Sequence, residues 1–238
     1  MFAYKESQHL PTNQILAALP RQEYKHLFAN LEMVRLDRGK ILYDLGDTIS
    51  YAFFPMSGMV SLLSITEEGS TTQVSMVGNE GIAGIAAVLK INTAPFRVMV
   101  QIPGKAMRVR INILIKEFDR GGPLQDMMLR YLHSLITQIS QSAACNRFHT
   151  VEQRLCRWLL MSHDRVKANT LQLTQEALSH MIGASRTNIT EAAYKLKAGG
   201  LIQYRRGDIQ VIERQGIEKA ACECYRIVTE EIGRLCVA

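Results

Sequence analysis

The sequence predicts an α+β protein in three parts: an antiparallel β-roll, one long helix and a winged helix-turn-helix. Three patterns lead there. Between positions 31 and 113, short apolar stretches alternate with turn residues at intervals of about eight to twelve. Between 123 and 149, an apolar stripe keeps helical spacing with no Gly or Pro after Pro123. Between 174 and 212, two short capped helices are followed by two short strands joined by a tight turn.

The 238-residue chain has room for one or two domains, with boundaries expected at 1–122, 123–149 and 150–238. Its 47% hydrophobic and 21% charged residues are those of a chain that buries a core without staples. The net charge of +6 permits a polyanionic partner. The excess is evenly spread: residues 150–238 hold 13 Lys/Arg against 10 Asp/Glu, and the remainder 15 against 12. Five cysteines, an odd number confined to the C-terminal half, do not form a secreted disulfide framework. The first ten residues include Lys5, Glu6, Gln8 and His9 and so lack a signal-peptide core. The longest apolar run, near 81–89, falls far short of the ~20 residues that span a bilayer. A cytoplasmic protein with no membrane partner is the expectation.

Residues 12–30 read as an amphipathic helix pair, the second segment started by Pro20. Strands follow at 33–36, 41–43, 51–54, 60–65, 71–77, 98–102 and 106–111. Asp37-Arg38-Gly39, Leu45-Gly46-Asp47, Pro55-Met56-Ser57-Gly58, Glu67-Glu68-Gly69-Ser70 and Pro103-Gly104 supply the turns. A short helix is expected within 80–89. In the long helix, Leu124, Met128, Leu132, Leu135 and Ile139 form one stripe. Such a stripe packs either on its own roll or on a second copy. Its narrowness and its position between two domains favour a dimer seam. Helix resumes from 151 to about 166, with Leu155, Trp158, Leu159 and Ser162 inward.

The segment 174–206 carries the functional signal. Thr174 caps a short helix through its hydroxyl, Leu178 and Ile182 give that helix an apolar face, and Gly183 ends it. Ser185 caps a second helix whose Ile189, Ala192, Ala193 and Leu196 point inward. Its Arg186, Thr187, Asn188, Thr190, Glu191 and Lys195 form a polar outer face, and Gly199-Gly200 stop it. The strands 201–204 and 209–212 with Arg205-Arg206-Gly207-Asp208 between them make a wing. Within 186–206, five basic residues (Arg186, Lys195, Lys197, Arg205, Arg206) stand against Glu191 alone. Such clusters neutralise phosphates and release counterions from DNA. Arg186 can donate bidentately to guanine and Asn188 can pair with adenine. Thr187 and Thr190 suit a phosphate or a thymine methyl. Glu191 suits a cytosine amino group or the orientation of Arg186, and Arg205 and Arg206 suit phosphate.

The chain resembles the CRP/FNR family of bacterial regulators over nearly its whole length. The residues that carry the resemblance are Tyr43-Asp44-Leu45-Gly46-Asp47, Phe54-Pro55-Met56-Ser57-Gly58-Met59-Val60, Val151-Glu152-Gln153-Arg154-Leu155 and Ile182-Gly183-Ala184-Ser185-Arg186-Thr187-Asn188-Ile189. It implies a cyclic-nucleotide-binding-like roll, a homodimer joined through the long helices, and a near-palindromic double-stranded DNA operator with half-sites about one turn (~34 Å) apart. It also implies an effector acting through the roll and contact with RNA polymerase. The family's cyclic-nucleotide pocket uses a Gly-Glu pair and an Arg-Ser/Thr pair. Here the stretches read Glu80-Gly81-Ile82-Ala83-Gly84-Ile85 and Pro95-Phe96-Arg97-Val98. The acid after the second glycine and the hydroxyl partner are missing, and Phe96 aligns with the arginine. Glu80, Gly81 and Arg97 are the remaining effector-pocket candidates, cyclic AMP is not the expected ligand, and the effector is unassigned. The family's N-terminal cysteine cluster for an iron–sulfur centre is absent, since no cysteine precedes Cys145. A redox- or haem-responsive regulator and an effector-independent DNA-binding protein remain alternatives.

No cofactor, metal site or catalytic residue is expected. There is no P-loop, G-x-S-x-G, H-E-x-x-H or paired His/Cys ligand spacing. Cys222 and Cys224, two apart, would be splayed by ~200° on a helix, so with Cys236 they read as helix packing rather than a thiol switch. The methionines of the roll, Met56, Met59, Met76, Met99 and Met107, read as core filler.

Overall fold

The computed structural model describes residues 12–166, 170–205 and 207–236. The chain opens with α1 (Gln14–Ala18) and α2 (Arg21–Phe28). Asn13 caps α1 by accepting from Leu16 N, and its buried amide also donates to Pro55 O and Gly81 O, which pins the start of the chain to the roll. Pro20 stands at the N-cap of α2.

The roll is a five-stranded antiparallel sheet of β1 (Glu32–Leu36), β2 (Ile41–Tyr43), β3 (Tyr51–Ile65), β4 (Thr71–Val77) and β5 (Arg97–Arg110). Its order is β1-β5-β3-β4, with β2 also on β5. The turns expected at Pro55–Gly58 and Pro103-Gly104 are not chain reversals. β3 and β5 each run through as one long strand, paired from Tyr51↔Arg110 to Leu63↔Arg97. Register shifts occur at Pro55/Ser57, Ser57/Met59 and Met59/Val60. The two irregular stretches face each other. A Cβ on Gly58 (φ 77) would stand 2.5 Å from Ile102 O, and one on Gly104 would overlap Ser57 O. The glycines therefore allow a bulged bend of two paired strands, which a one-strand reading takes for two loops.

The short helix within 80–89 is a 3-10 turn, Ile85–Leu89. The strand expected to reach 111 ends at Arg110, where α3 (Ile111–Asp119) begins. Next comes α4 (Pro123–Phe148), with Pro123 in its first turn. Its Leu124, Met128 and Leu135 are buried in the roll's own core with Val60, Val77, Ile82 and Val100, and Leu132 and Ile139 pack against the same cluster. The predicted dimer stripe is thus largely an intrachain face, because full burial of each such side chain against the roll yields about 1.5–3 kcal/mol. Gln138 on α4 pairs with the edge strand β4: Met76 N donates to its Oε1 (3.1 Å) and its Nε2 donates to Met76 O (3.2 Å). A side-chain amide here covers a strand edge that would otherwise stay unpaired.

α5 (Val151–Val166) leads into the C-terminal part, with Leu155, Trp158, Leu159 and Ser162 buried. There follow β6 (Thr170–Gln172), α6 (Gln175–Ile182), α7 (Arg186–Ala198), β7 (Ile202–Arg205), β8 (Asp208–Val211), α8 (Arg214–Ala220) and α9 (Cys224–Gly233). The three strands form a sheet of order β6-β8-β7.

The C-terminal part is docked on the roll. Met59, Leu63, Met76 and Ile102 of the roll share one apolar cluster with Leu159, Leu178, Met181 and Ile189. Trp158 Nε1 donates to Gln73 Oε1 (2.6 Å), and Arg38 Nη2 donates to Gln172 O (2.6 Å). The buried pair Arg165 Nε–Glu80 Oε1 (2.7 Å) spans the same seam, with both side chains only 4% exposed.

Candidate nucleic-acid interface

Local capping sets the geometry of α6 and α7. Thr174 Oγ1 accepts from Ala177 N (3.1 Å), and Ser185 Oγ accepts from Asn188 N (3.2 Å). Both hydroxyls therefore hold helix starts, and both residues are exposed. Between the helices, Gly183 takes φ 65 and donates its N–H to Ser179 O, the left-handed C-cap that the turn requires. Arg154 clamps the turn from α5 by donating to Ile182 O and, at 2.9 Å, to Gly183 O. Burial lowers the Arg154 pKa, and the two carbonyls supply the acceptors that its charge lacks elsewhere.

Ile189, Ala192, Ala193 and Leu196 are buried, so α7 turns its other face outward. On that face Arg186, Thr187, Asn188, Thr190, Glu191 and Lys195 are all exposed. Arg186 and Asn188 make no side-chain hydrogen bond or ion pair with any described residue, and they lie in the first turn of the helix. Two side chains of this face have partners within the motif. Glu191 does not orient Arg186, because its carboxylate pairs one turn on with Lys195 (3.4 Å). The Thr190 hydroxyl is engaged within the motif, donating to Arg186 O (2.8 Å) and lying 3.1 Å from Gln175 Oε1. Arg205 is exposed at the end of β7, opposite Asp208 in the wing register. Arg206 lies outside the described residues. Tyr194, 71% exposed on the same face, is not among the residues expected from the sequence. Its spacing of three and four from Glu191 and Thr190 could have found it.

The effector-pocket candidates do not converge. Glu80 is spent on Arg165 and on accepting from Gly78 N (3.1 Å). Gly81 lies under the Tyr131 ring of α4, which a Cβ would overlap. Tyr131 itself has its pKa raised by burial first and by the Glu80 charge second. Arg97 makes a bidentate pair with Asp44, Nε to Oδ1 at 2.9 Å and Nη2 to Oδ2 at 2.7 Å. The Arg97 hydrogen bond, with a further one from Leu45 N, holds the Asp44 carboxyl below its usual range.

The cysteines are not splayed on a helix. Cys222 lies in the link between α8 and α9, and only Cys224 opens α9, so the turn brings both thiols together with Cys145 in one buried cluster. Cys156 stands apart on α5, its thiol pushed up to about 12 by burial. The side chain of Cys236 lies outside the described residues.

A capped helix pair with a β-wing, joined by a long helix to an antiparallel roll, defines a winged helix-turn-helix architecture. Residues 153–220 match the Crp-like helix-turn-helix domain family. The global nitrogen regulator of Synechococcus elongatus is 22% identical over 191 residues, covering 76% of this chain and 86% of the relative. FixK2 from Bradyrhizobium japonicum superposes with a TM-score of 0.70 at 12% identity, covering 81% of this chain and 98% of that one. A CRP-family transcriptional regulator from Thermus thermophilus gives 0.67 at 14% identity, with coverage of 79% and 96%. Residues 153–220 thus form a Crp-like helix-turn-helix domain, and the chain as a whole shares the fold of these regulators. Among the described residues, no helix is long and apolar enough to cross a membrane.

Proposed function

We propose that the protein is a sequence-specific DNA-binding homodimer that reads a near-palindromic operator through α7. The observation that carries this reading is the first turn of α7. Its Arg186 and Asn188 are exposed and uncommitted, on a helix whose opposite face is locked into the core. Arg and Asn there suit base edges in the major groove, and Arg205 with Tyr194 flanks them for backbone contact. Operator preference follows from Arg186 and Asn188, while Thr174 and Ser185 act through the caps they supply.

The proposed dimer surface is the outer stripe of α4, not the inner one. Leu129 and Ile136 are 46% and 56% exposed, and with exposed Ala143 they recur at spacings of seven along one side of the helix. Pairing these stripes would cover them and place two α7 helices on one DNA face. The reading includes no cyclic nucleotide held on Glu80 and Arg97, since both already have protein partners.

The test is DNA affinity as a function of salt. Wild type should bind duplex DNA with a steep negative slope of log affinity on log salt, as phosphate neutralisation requires. Arg186→Ala with Asn188→Ala should lose discrimination between selected and random duplex while keeping most of the salt slope. A folded protein that does not bind duplex DNA at low salt would refute the reading.

A further inference from the structure

The last turn of α4, its cap residue and the α8–α9 link bring four metal-ligating side chains together. Cys145 and His149 lie four apart and so share a face across one helical turn. Cys222 and Cys224 meet them from the opposite side. The Sγ atoms of the three cysteines and a ring nitrogen of His149 all lie within 4.8 Å of one another. Cys145 Sγ to Cys222 Sγ is 3.5 Å, and Cys224 Sγ to His149 Nδ1 is 3.6 Å. A tetrahedral zinc site with Zn–S near 2.3 Å and Zn–N near 2.0–2.1 Å needs S···S edges of about 3.8 Å and S···N edges of about 3.5 Å. The cluster therefore has nearly the dimensions of an occupied site.

Two surrounding features fit a metal better than thiol packing. With Nδ1 turned inward, His149 Nε2 lies 3.3 Å from Glu223 Oε2. A carboxylate on the far nitrogen fixes the ring and raises its basicity, as in carboxylate–histidine–zinc arrangements. Buried Arg157 on α5 forms no ion pair with a described residue, and it donates to Ser142 Oγ (3.3 Å), one turn before Cys145. Three thiolates and a dication leave one negative charge, which this guanidinium offsets. Hard oxygen-seeking cations are excluded by the sulfur set, and four protein ligands leave no open catalytic position.

We propose that Cys145, His149, Cys222 and Cys224 form a Cys3His site for one zinc ion, which fastens the C-terminal part of the chain to the end of α4. The ligands come from both sides of the α4–α5 junction, so the ion would hold α9 against the long helix while α7 stays exposed.

The test uses the full chain, purified anaerobically with reductant, and reads metal rather than DNA binding, so it fails or succeeds independently of the function proposed above. Elemental analysis should find one zinc per chain after reconstitution with Zn2+. Replacement by Co2+ should give the thiolate charge-transfer and tetrahedral ligand-field bands. Cys145→Ser and Cys222→Ser should lose both, Cys156→Ser should keep both, and Glu223→Gln should weaken zinc affinity about 10-fold. In the wild type, Zn2+ should protect Cys145, Cys222 and Cys224 from alkylation, a readout that does not depend on any variant folding. Absence of stoichiometric zinc or cobalt in folded wild type would overturn the proposal, as would metal retained in folded Cys222→Ser, or a Cys145–Cys222 disulfide in place of the ion.

Discussion

Replacing Arg165 by Met leaves the Glu80 carboxylate buried without its cation. The pair meets at 2.7 Å with each side chain 4% exposed, so water cannot take the guanidinium's place. Removing one partner of a buried pair costs about 3–5 kcal/mol. Methionine keeps the aliphatic stem that packs beside Gly78, so the loss is chiefly electrostatic. In the double variant Glu80→Gln/Arg165→Met the charge is gone, and the amide oxygen can still accept from Gly78 N. Its stability should return most of the way, giving a coupling of at least about 2 kcal/mol in a double-mutant cycle. Urea unfolding at one fixed protomer concentration measures this. The single tryptophan, Trp158, is a reporter already placed at the seam by its bond to Gln73. Arg165→Met within about 1 kcal/mol of wild type, or strict additivity of the two changes, would refute the claim that this ion pair joins the roll to the C-terminal part.

Further outcomes follow from the same geometry. Arg186→Ala should weaken operator binding by about 1–3 kcal/mol and relax one base position, as read by anisotropy on operator and single-base variants. Ile136→Asp should shift the protein to monomer in sedimentation, whereas Leu135→Asp, on the inner face, should unfold the roll and show first as a loss of thermal stability. Ser185→Ala should cost about 1 kcal/mol in unfolding by removing the cap on Asn188 N, with Ser185→Gly losing only a few tenths. The Asp44–Arg97 pair depends on a carboxyl held below its ordinary range, so its contribution is complete above the unfolded aspartate pKa. It is lost as pH falls through the depressed one; an NMR titration of Asp44 should move upward in Arg97→Ala.

The C-terminal motif was legible because its determinants are local. Thr174, Gly183 and Ser185 act on backbone groups within four residues, so spacing alone places the caps and the turn. The roll was legible as a class but not in detail, since Gly58 and Gly104 are explained only by the strand facing them. The long helix shows why a stripe names no partner. Leu124, Met128 and Leu135 keep helical spacing, and so do Leu129, Ile136 and Ala143, and only the packed roll tells which is already covered. Glu80 carried a pocket expectation from its neighbours in sequence, yet its partner is Arg165 at a separation of 85 residues. The cysteine cluster was hidden by treating Cys222 and Cys224 as members of one helix, when the chain turns between α8 and α9 and both point toward Cys145.

In the proposed function α7 reads DNA in a paired arrangement. Selection of duplex fragments from a random pool by the purified, ligand-free full chain, followed by sequencing, tests it most directly. The expected result is enrichment of an inverted repeat with half-site centres about one helical turn apart, abolished by Arg186→Ala/Asn188→Ala. A folded, dimeric protein that enriches no motif, or one whose motif survives loss of both side chains, would contradict it.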